Sequence, residues 1–399
     1  MLALRPTRRA LLTAPFKRRC LSSSSFPDPL QPATPPDDGP QPPYKMLFFG
    51  ADTFSCRVLE RVHQAGPGLV DQITVVTPGD QRVGRKLKEV RRPPLREYAE
   101  ELGLARIALP PTLLKGWQPP AAFLPPPTSP IATAPSAANL LLTASFGHLI
   151  PSPLLSLFRP LNALNVHPSL LPKYRGASPI QYGILNGDAD EGGDGMGVTV
   201  QELSRGRFDR GRILGQTPVD VPSDLTFLEL EPILARAGGD LVVSILRDLA
   251  AAQAAAFPQN PSLATLAPKL HKANAQVRWS QQPPLEVVRL QRGIGHQYPL
   301  WTTYTPPPTS LTDSSPASPA QLQLTLTPFL SPLPSTLVYA PAGTVALDPQ
   351  TKTLVVKCAD SKVGVEVERV KKEGGKWVMG REWWNGLGKK AREEGVVFE

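Results

Sequence analysis

The chain has 399 residues, 41% of them hydrophobic, and a formal charge of +9. That length and apolar content suffice for two ordinary globular cores, and no run of about 18 apolar residues marks a membrane-spanning helix, so a soluble protein is expected. Three scattered cysteines without a C-x-x-C pair and five histidines without H-x-x-x-H spacing support neither a disulfide framework nor a metal site.

The first 26 residues hold Arg5, Arg8, Arg9, Lys17, Arg18 and Arg19, a serine cluster and no acid before Asp28. This is the composition of a transit peptide, which points to mitochondrial import into the matrix, or of a disordered basic tail. Residues 27–44 read as a disordered proline-rich leader. Beyond it, the pattern divides into a domain over 45–256, a linker over 257–276 and a second domain over 277–399.

KMLFF, the turn at Gly50 and apolar positions Phe54, Val58, Leu59 and Val62 predict a strand, a turn and a helix. Ile73–Val76 predicts the next strand, so the unit is βαβ in a parallel sheet. A lone Gly50 is not a dinucleotide fingerprint. A basic loop follows, with Arg82, Arg85, Lys86, Lys88, Arg91, Arg92 and Arg96, then a helix over 94–102. Residues 117–139 read as an inserted Pro/Ala-rich loop, and Leu140–Ala144 as a buried strand. A helix-like stretch over 153–158 precedes the run NVHPSLLPKYRGASPIQYGILNGD at 165–188.

Alternation across Leu164–His167 puts Asn165 and His167 on one strand face, where an amide donor and an imidazole can stabilise an oxyanion and manage a proton. Strand-end polar residues satisfied by local backbone are the plainer reading of those two alone. Lys173, Arg175 and Gly176 permit close approach by an anion. Ser178 and Pro179 predict a capped helix ending at Asn186-Gly187. Gly197–Leu203 and Ile213–Val221 predict an antiparallel pair around the turn SRGRFDRG, and residues 227–256 predict one long helix. From Val277 onward, QLQLTLT, TLVVKC and VGVEVERV alternate as short strands of a small β-barrel, interrupted by a loop over 305–319.

The run from Asn165 to Ile180 resembles N-[VI]-H-x-S-L-L-P-x-[YW]-R-G-x-x-P-[IV], the hallmark of the methionyl-tRNA formyltransferases among 10-formyltetrahydrofolate-dependent enzymes. Gly197–Val200 with Phe208-Asp209-Arg210-Gly211 resembles the second hallmark. The resemblance implies an α/β fold, a Rossmann-like domain with a mostly parallel sheet, followed by an OB-like barrel. It implies Asn165, His167 and Asp209 as catalytic residues and 10-formyltetrahydrofolate as co-substrate without a metal. Phe146, Gly147, Ser169, Leu170, Leu171 and Pro172 are implied to bind folate.

The loop carrying Arg82, Arg85, Lys86 and Lys88 resembles the family's tRNA-contacting insertion, although the glycine after its Gly-Arg pair is absent. Arg212 stands where the family carries an acid. Basic residues of the barrel, with Trp377, Trp383 and Trp384, suit nucleic acid, core packing being the other reading of the tryptophans. The expected activity is formylation of methionyl initiator tRNA by a monomer. Its rivals are a formyltransferase for a small amine and an inactive tRNA-binding homologue.

Overall fold

Successive residues of a strand face opposite sides of its sheet. In β1 (Tyr44–Phe49) both sides are apolar: Met46 and Phe48 enter one core, Leu47 and Phe49 another. Such two-sided burial is what a parallel sheet covered on both faces requires. The computed structural model describes residues 43–83, 85–110, 114–124, 135–190, 195–306 and 318–399. The basic leader over 1–26, nearly all of the proline-rich stretch and large parts of both insertions lie outside the described residues.

After β1, α1 (Thr53–Gln64) starts at Asp52, whose carboxylate accepts from Ser55 N at 3.2 Å. Then come β2 (Val70–Thr77), β3 (Gln81–Val83), β4 (Glu89–Arg91), α2 (Pro94–Glu101) and β5 (Ala105–Ala108). The basic loop is therefore a hairpin, with β3 and β4 paired antiparallel. Next are β6 (Asn139–Ala144), a single turn α3 (Ser152–Leu155), β7 (Ala163–His167), α4 (Pro179–Asn186), β8 (Gly197–Glu202) and β9 (Ile213–Pro218). The strand order is β5-β2-β1-β6-β7-β8-β9, parallel through β7 and antiparallel in the last two.

Residues 227–254 form two helices, α5 (Phe227–Arg247) and α6 (Leu249–Ala254), not the single helix expected. Asp248 leaves helical geometry at φ −141° and caps α6 by accepting from Ala251 N at 3.1 Å. Ser178 occupies the cap position of α4, but its side chain makes no capping bond. The insertion at 117–139 is more than a solvent loop: Phe123 is buried against Phe158, and Trp117 packs edge-on against Phe49.

The C-terminal domain opens with α7 (Pro284–Ile294), a helix the alternating pattern did not announce. It continues with β10 (Leu300–Tyr304), β11 (Ala320–Pro332), β12 (Thr344–Leu347), β13 (Leu354–Lys357), β14 (Val363–Lys372) and β15 (Val378–Met379). Short helices α8 (Gly380–Asn385) and α9 (Lys389–Glu394) precede β16 (Val396–Val397). The antiparallel order is β10-β11-β14-β13-β12-β16, and a bridge from Tyr304 to Phe398 brings the two edges together. Thr303 and Glu399 exchange backbone hydrogen bonds at 3.3 and 2.9 Å beside it, so the sheet curls into a closed OB-like barrel. Trp383 belongs to the core of this barrel, with Tyr304 and Phe398, and is not free for nucleic acid.

The domains meet where α4 packs on α7. Asp190 accepts from Arg289 Nε at 2.7 Å and from Arg292 Nη1 at 2.9 Å, and Arg292 is only 2% exposed. Burial opposes ionisation of Asp190, but the two guanidinium groups outweigh it and hold the carboxyl below the usual carboxylate range. Its stabilising contribution is therefore present at neutral pH and fades as pH falls through that lowered value. Replacing Asp190 by Ala removes the nearer carboxylate of buried Arg292, leaving Asp224 Oδ1 at 3.6 Å, and should cost about 3 kcal/mol. Chemical denaturation at pH 7 checks this, and the deficit should shrink in acid.

Candidate active site

In an open parallel sheet, ligands bind beyond the carboxyl ends of the strands, where the strand order reverses. Here the order reverses between β1 and β6. A cavity of about 670 Å³ opens at that point, lined by Asp52 after β1, Ser145 and Phe146 after β6, and Asn165 and His167 from β7. The C-terminal domain contributes His296 and Gln297 to its wall.

Register builds the polar row on the cavity floor. β6 pairs Thr143 with Asn165, and β8 pairs Gln201 with Asn165, so three polar side chains lie abreast across the sheet. Thr143 donates its hydroxyl to Asn165 Oδ1 at 2.7 Å, which leaves the Asn165 Nδ2 donor for the cavity. Leu164 and Val166 point into the core on the opposite face, as alternation requires.

His167 Nε2 lies 2.9 Å from Tyr174 O, an atom that only accepts, so this nitrogen carries a hydrogen. Its Nδ1 faces Asp209 Oδ1 at 3.5 Å, and the two side chains are just 6% and 9% exposed. Asp209 stands in the β8–β9 loop at φ 52°, a left-handed conformation rarely adopted by an L residue. Gly176 N donates to its Oδ2 at 3.0 Å and Gln201 Nε2 to its Oδ1 at 2.9 Å. Gly176 is required for this approach: at φ +129°, an added Cβ would come within 2.5 Å of Ala267 O.

Phe146 is buried beneath the cavity and Gly147 lies open beside it. Ser169, Leu170, Leu171 and Pro172 do not line the cavity. Ser169 donates to Lys173 O at 2.6 Å, and Leu171 N donates to Thr199 Oγ1 at 3.1 Å. The run turns back under the site because these groups satisfy one another. Arg212 donates to Ala256 O at 2.6 Å and does not line the cavity beside Asp209.

On the hairpin, Arg82, Lys86 and Lys88 are exposed, while the side chain of Arg85 lies outside the described residues. Arg91, at the end of the same hairpin, reaches the cavity rim, as does Arg207. In the barrel, Arg369 and Lys371 lie over the Trp377 ring at 5.9 and 5.8 Å.

Residues that sequence reasoning passed over complete the site. Thr143 was legible as the polar position in an apolar strand, and Gln201 as a strand position in register with the motif's face. Gln259, bonded to Gln201 and the Asp209 backbone, carried no local signal. Asp52 and Glu231 add a second acidic end to the cavity. Burial pushes both carboxyls above their ordinary values, and for Glu231 the charge of Asp52 adds to this while the Thr53 hydroxyl opposes it.

A Rossmann-like domain with a polar cluster at its switch point, docked to a closed antiparallel barrel, defines a two-domain group-transfer enzyme. The chain belongs to the formyl transferase family: residues 44–246 match the formyl transferase domain, and residues 269–388 match its C-terminal domain. It is 29% identical over 341 residues to the mitochondrial methionyl-tRNA formyltransferase of Homo sapiens, covering 83% of this chain and 76% of that one. It is 29% identical over 354 residues to the methionyl-tRNA formyltransferase of Enterococcus faecalis, covering 88% and 99%. An N-formyltransferase from Helicobacter canadensis, solved with folinic acid and dTDP-3-aminofucose, shares the fold at a TM-score of 0.50 and 16% identity. That likeness covers 81% of this chain and 98% of the other.

Because the folded-state value of Glu231 is raised, its favourable contribution is complete at acid pH and is lost as pH rises through the shifted value. Gln at this position still accepts from Thr53 but never ionises. Glu231→Gln should therefore gain thermal stability over the parent chain at pH 8 and lose that advantage at pH 4, as read from melting curves.

Proposed function

We propose that this chain transfers the formyl group of 10-formyltetrahydrofolate to the α-amino group of methionyl initiator tRNA, for translation initiation in the mitochondrial matrix. One observation carries the reading. The cavity holding Asn165, His167 and Asp209 and the barrel occur in one chain whose relatives, across both domains, are methionyl-tRNA formyltransferases. Mitochondrial relatives and the basic, acid-free residues 1–26 support the location.

In the transfer, the amine nitrogen bonds to the formyl carbon and the carbonyl oxygen gains charge as an oxyanion. The bond from that carbon to N10 then breaks, N10 takes up a proton, and tetrahydrofolate departs. Asn165, held by Thr143 with its amide nitrogen toward the cavity, donates to the oxyanion. His167 handles the proton that the attacking ammonium loses, and Asp209 stabilises the imidazolium that results. Low exposure of both side chains strengthens this attraction by excluding water.

Phe146 and Gly147 at the cavity, with Ser169, Leu170, Leu171 and Pro172 of the run that follows Pro168 on its wall, bind the folate. Arg82, Arg85, Lys86 and Lys88 on the hairpin contact acceptor phosphates, and Arg91 continues that positive path to the cavity. No helix among the described residues is long and apolar enough to cross a membrane.

Purified protein, incubated with 10-formyltetrahydrofolate and methionyl-tRNA, should yield formylmethionyl-tRNA. No product would refute the proposed activity. His167→Ala and Asp209→Ala should each lower kcat by about 100-fold, the usual scale for positioned acid–base groups. Unchanged rates in both would remove them from the mechanism. The pair Arg82→Ala and Lys88→Ala should weaken acceptor binding, lower its salt dependence by about two phosphate contacts and spare the KM for folate. Equal loss for both substrates would contradict the hairpin's role.

A further inference from the structure

We propose that Gln259, on the segment joining the two domains, is a positioning residue for formyl transfer: it holds the Asp209 loop in the conformation that aims the carboxylate at His167. The inference rests on the role assigned above to the Asp209–His167 pair.

The orientation of the Gln259 amide follows from its partners. Its Oε1 accepts from Arg175 Nε at 3.0 Å and from Arg175 Nη2 at 2.7 Å. A guanidinium only donates, so the oxygen must face it. The Nε2 then faces oxygens alone: Gln201 Oε1 at 3.1 Å, Asp209 O at 3.2 Å and Gly211 O at 2.9 Å. Two hydrogens are shared among three acceptors, and all three acceptors belong to the Asp209 environment.

Asp209 is thereby held from two sides. Its main chain is bonded directly through the carbonyl, and its side chain is held through Gln201, which donates to Oδ1. The holding matters because φ 52° at Asp209 lies in the left-handed region that residues other than glycine occupy sparsely, and contacts from outside the loop stabilise it there. Gly211 adds a close passage, since a Cβ there would collide with Glu202 O.

Gln259 is itself fixed by backbone pairing on either side. Phe257 exchanges hydrogen bonds with Ile213 at 2.8 and 3.1 Å. Further on, Arg175 N donates to Thr265 O at 2.9 Å, Ala267 N to Arg175 O at 2.8 Å, and Tyr174 N to Thr265 Oγ1 at 2.8 Å. The segment thus crosses from β9 to the catalytic run and lays Gln259 between them. Tyr174 O is the partner of His167 Nε2, so the same segment braces both members of the pair.

The test uses full-length chain with methionyl-tRNA and 10-formyltetrahydrofolate, and compares Gln259→Leu and Gln259→Glu, alone and combined with Asp209→Ala. Gln259→Leu should lower kcat by about 10- to 100-fold, the scale of a catalytic group displaced by an ångström or less, with both KM values within about twofold. Gln259→Glu keeps an acceptor for Arg175, and with it the anchorage of the segment, but cannot donate. It should be impaired similarly, and it tests the donors even where Gln259→Leu fails to fold. In the Asp209→Ala background, either change should lower kcat by no more than about twofold, because the group it positions is gone.

Wild-type kcat in Gln259→Glu would overturn the proposal. So would an equal fold-loss with and without Asp209, which would mark a general structural role. Full activity of Asp209→Ala would instead overturn the site reading on which the proposal rests.

Discussion

A carboxylate that is nine-tenths buried must have its charge met by the protein, and at Asp209 this condition organises the catalytic domain. Its oxygens take an amide hydrogen from Gly176 and another from Gln201 and face the imidazole of His167. Each partner comes from a different element: the catalytic run, β8 and β7. The site exists only while the sheet register, the 172–178 run and the β8–β9 loop are all in place. Left-handed backbone at Asp209 adds a second demand, and contacts to its neighbouring carbonyls meet it.

Domain docking follows the same logic at larger scale. A buried guanidinium at Arg292 needs a carboxylate, and Asp190, just beyond α4, supplies the nearer one at 2.9 Å, with Asp224 at 3.6 Å. Since α4 leads directly from the catalytic run, docking of α7 against it fixes the C-terminal domain relative to the cavity. His296 then stacks on Phe227 at 4.1 Å, with both rings on the cavity wall. The cavity is consequently built by two domains, an arrangement suited to a small donor and a macromolecular acceptor meeting at one carbon.

Much of this was legible in the sequence wherever a local period sets a direction. Alternation in ALNVH determines that Asn165 and His167 share a face, and the structure shows it. Gly187 ends α4 in the left-handed conformation its place after Asn186 suggested. Reading failed where a residue's partners are distant. Gln201 and Gln259 meet Asp209 from β8 and from beyond α6, and nothing local in the chain announces either contact. For Trp383, residue type left nucleic-acid contact and core packing both open, and the core is where it lies. α7 was missed because the alternating strands around it dominate the pattern of that region.

The sequence by itself determined the fold class, the family and the polar side chains of its two motif runs, because period, spacing and residue type are local properties of the chain. Tertiary structure alone decided which of those side chains meet. The pairing of Thr143 with Asn165, the reach of Gln201 to Asp209 and the return of Gln259 from beyond α6 depend on strand register and chain path. Contacts between residues 8 to 58 positions apart carry no local signature, and these contacts turn a recognisable motif into a site with a defined geometry.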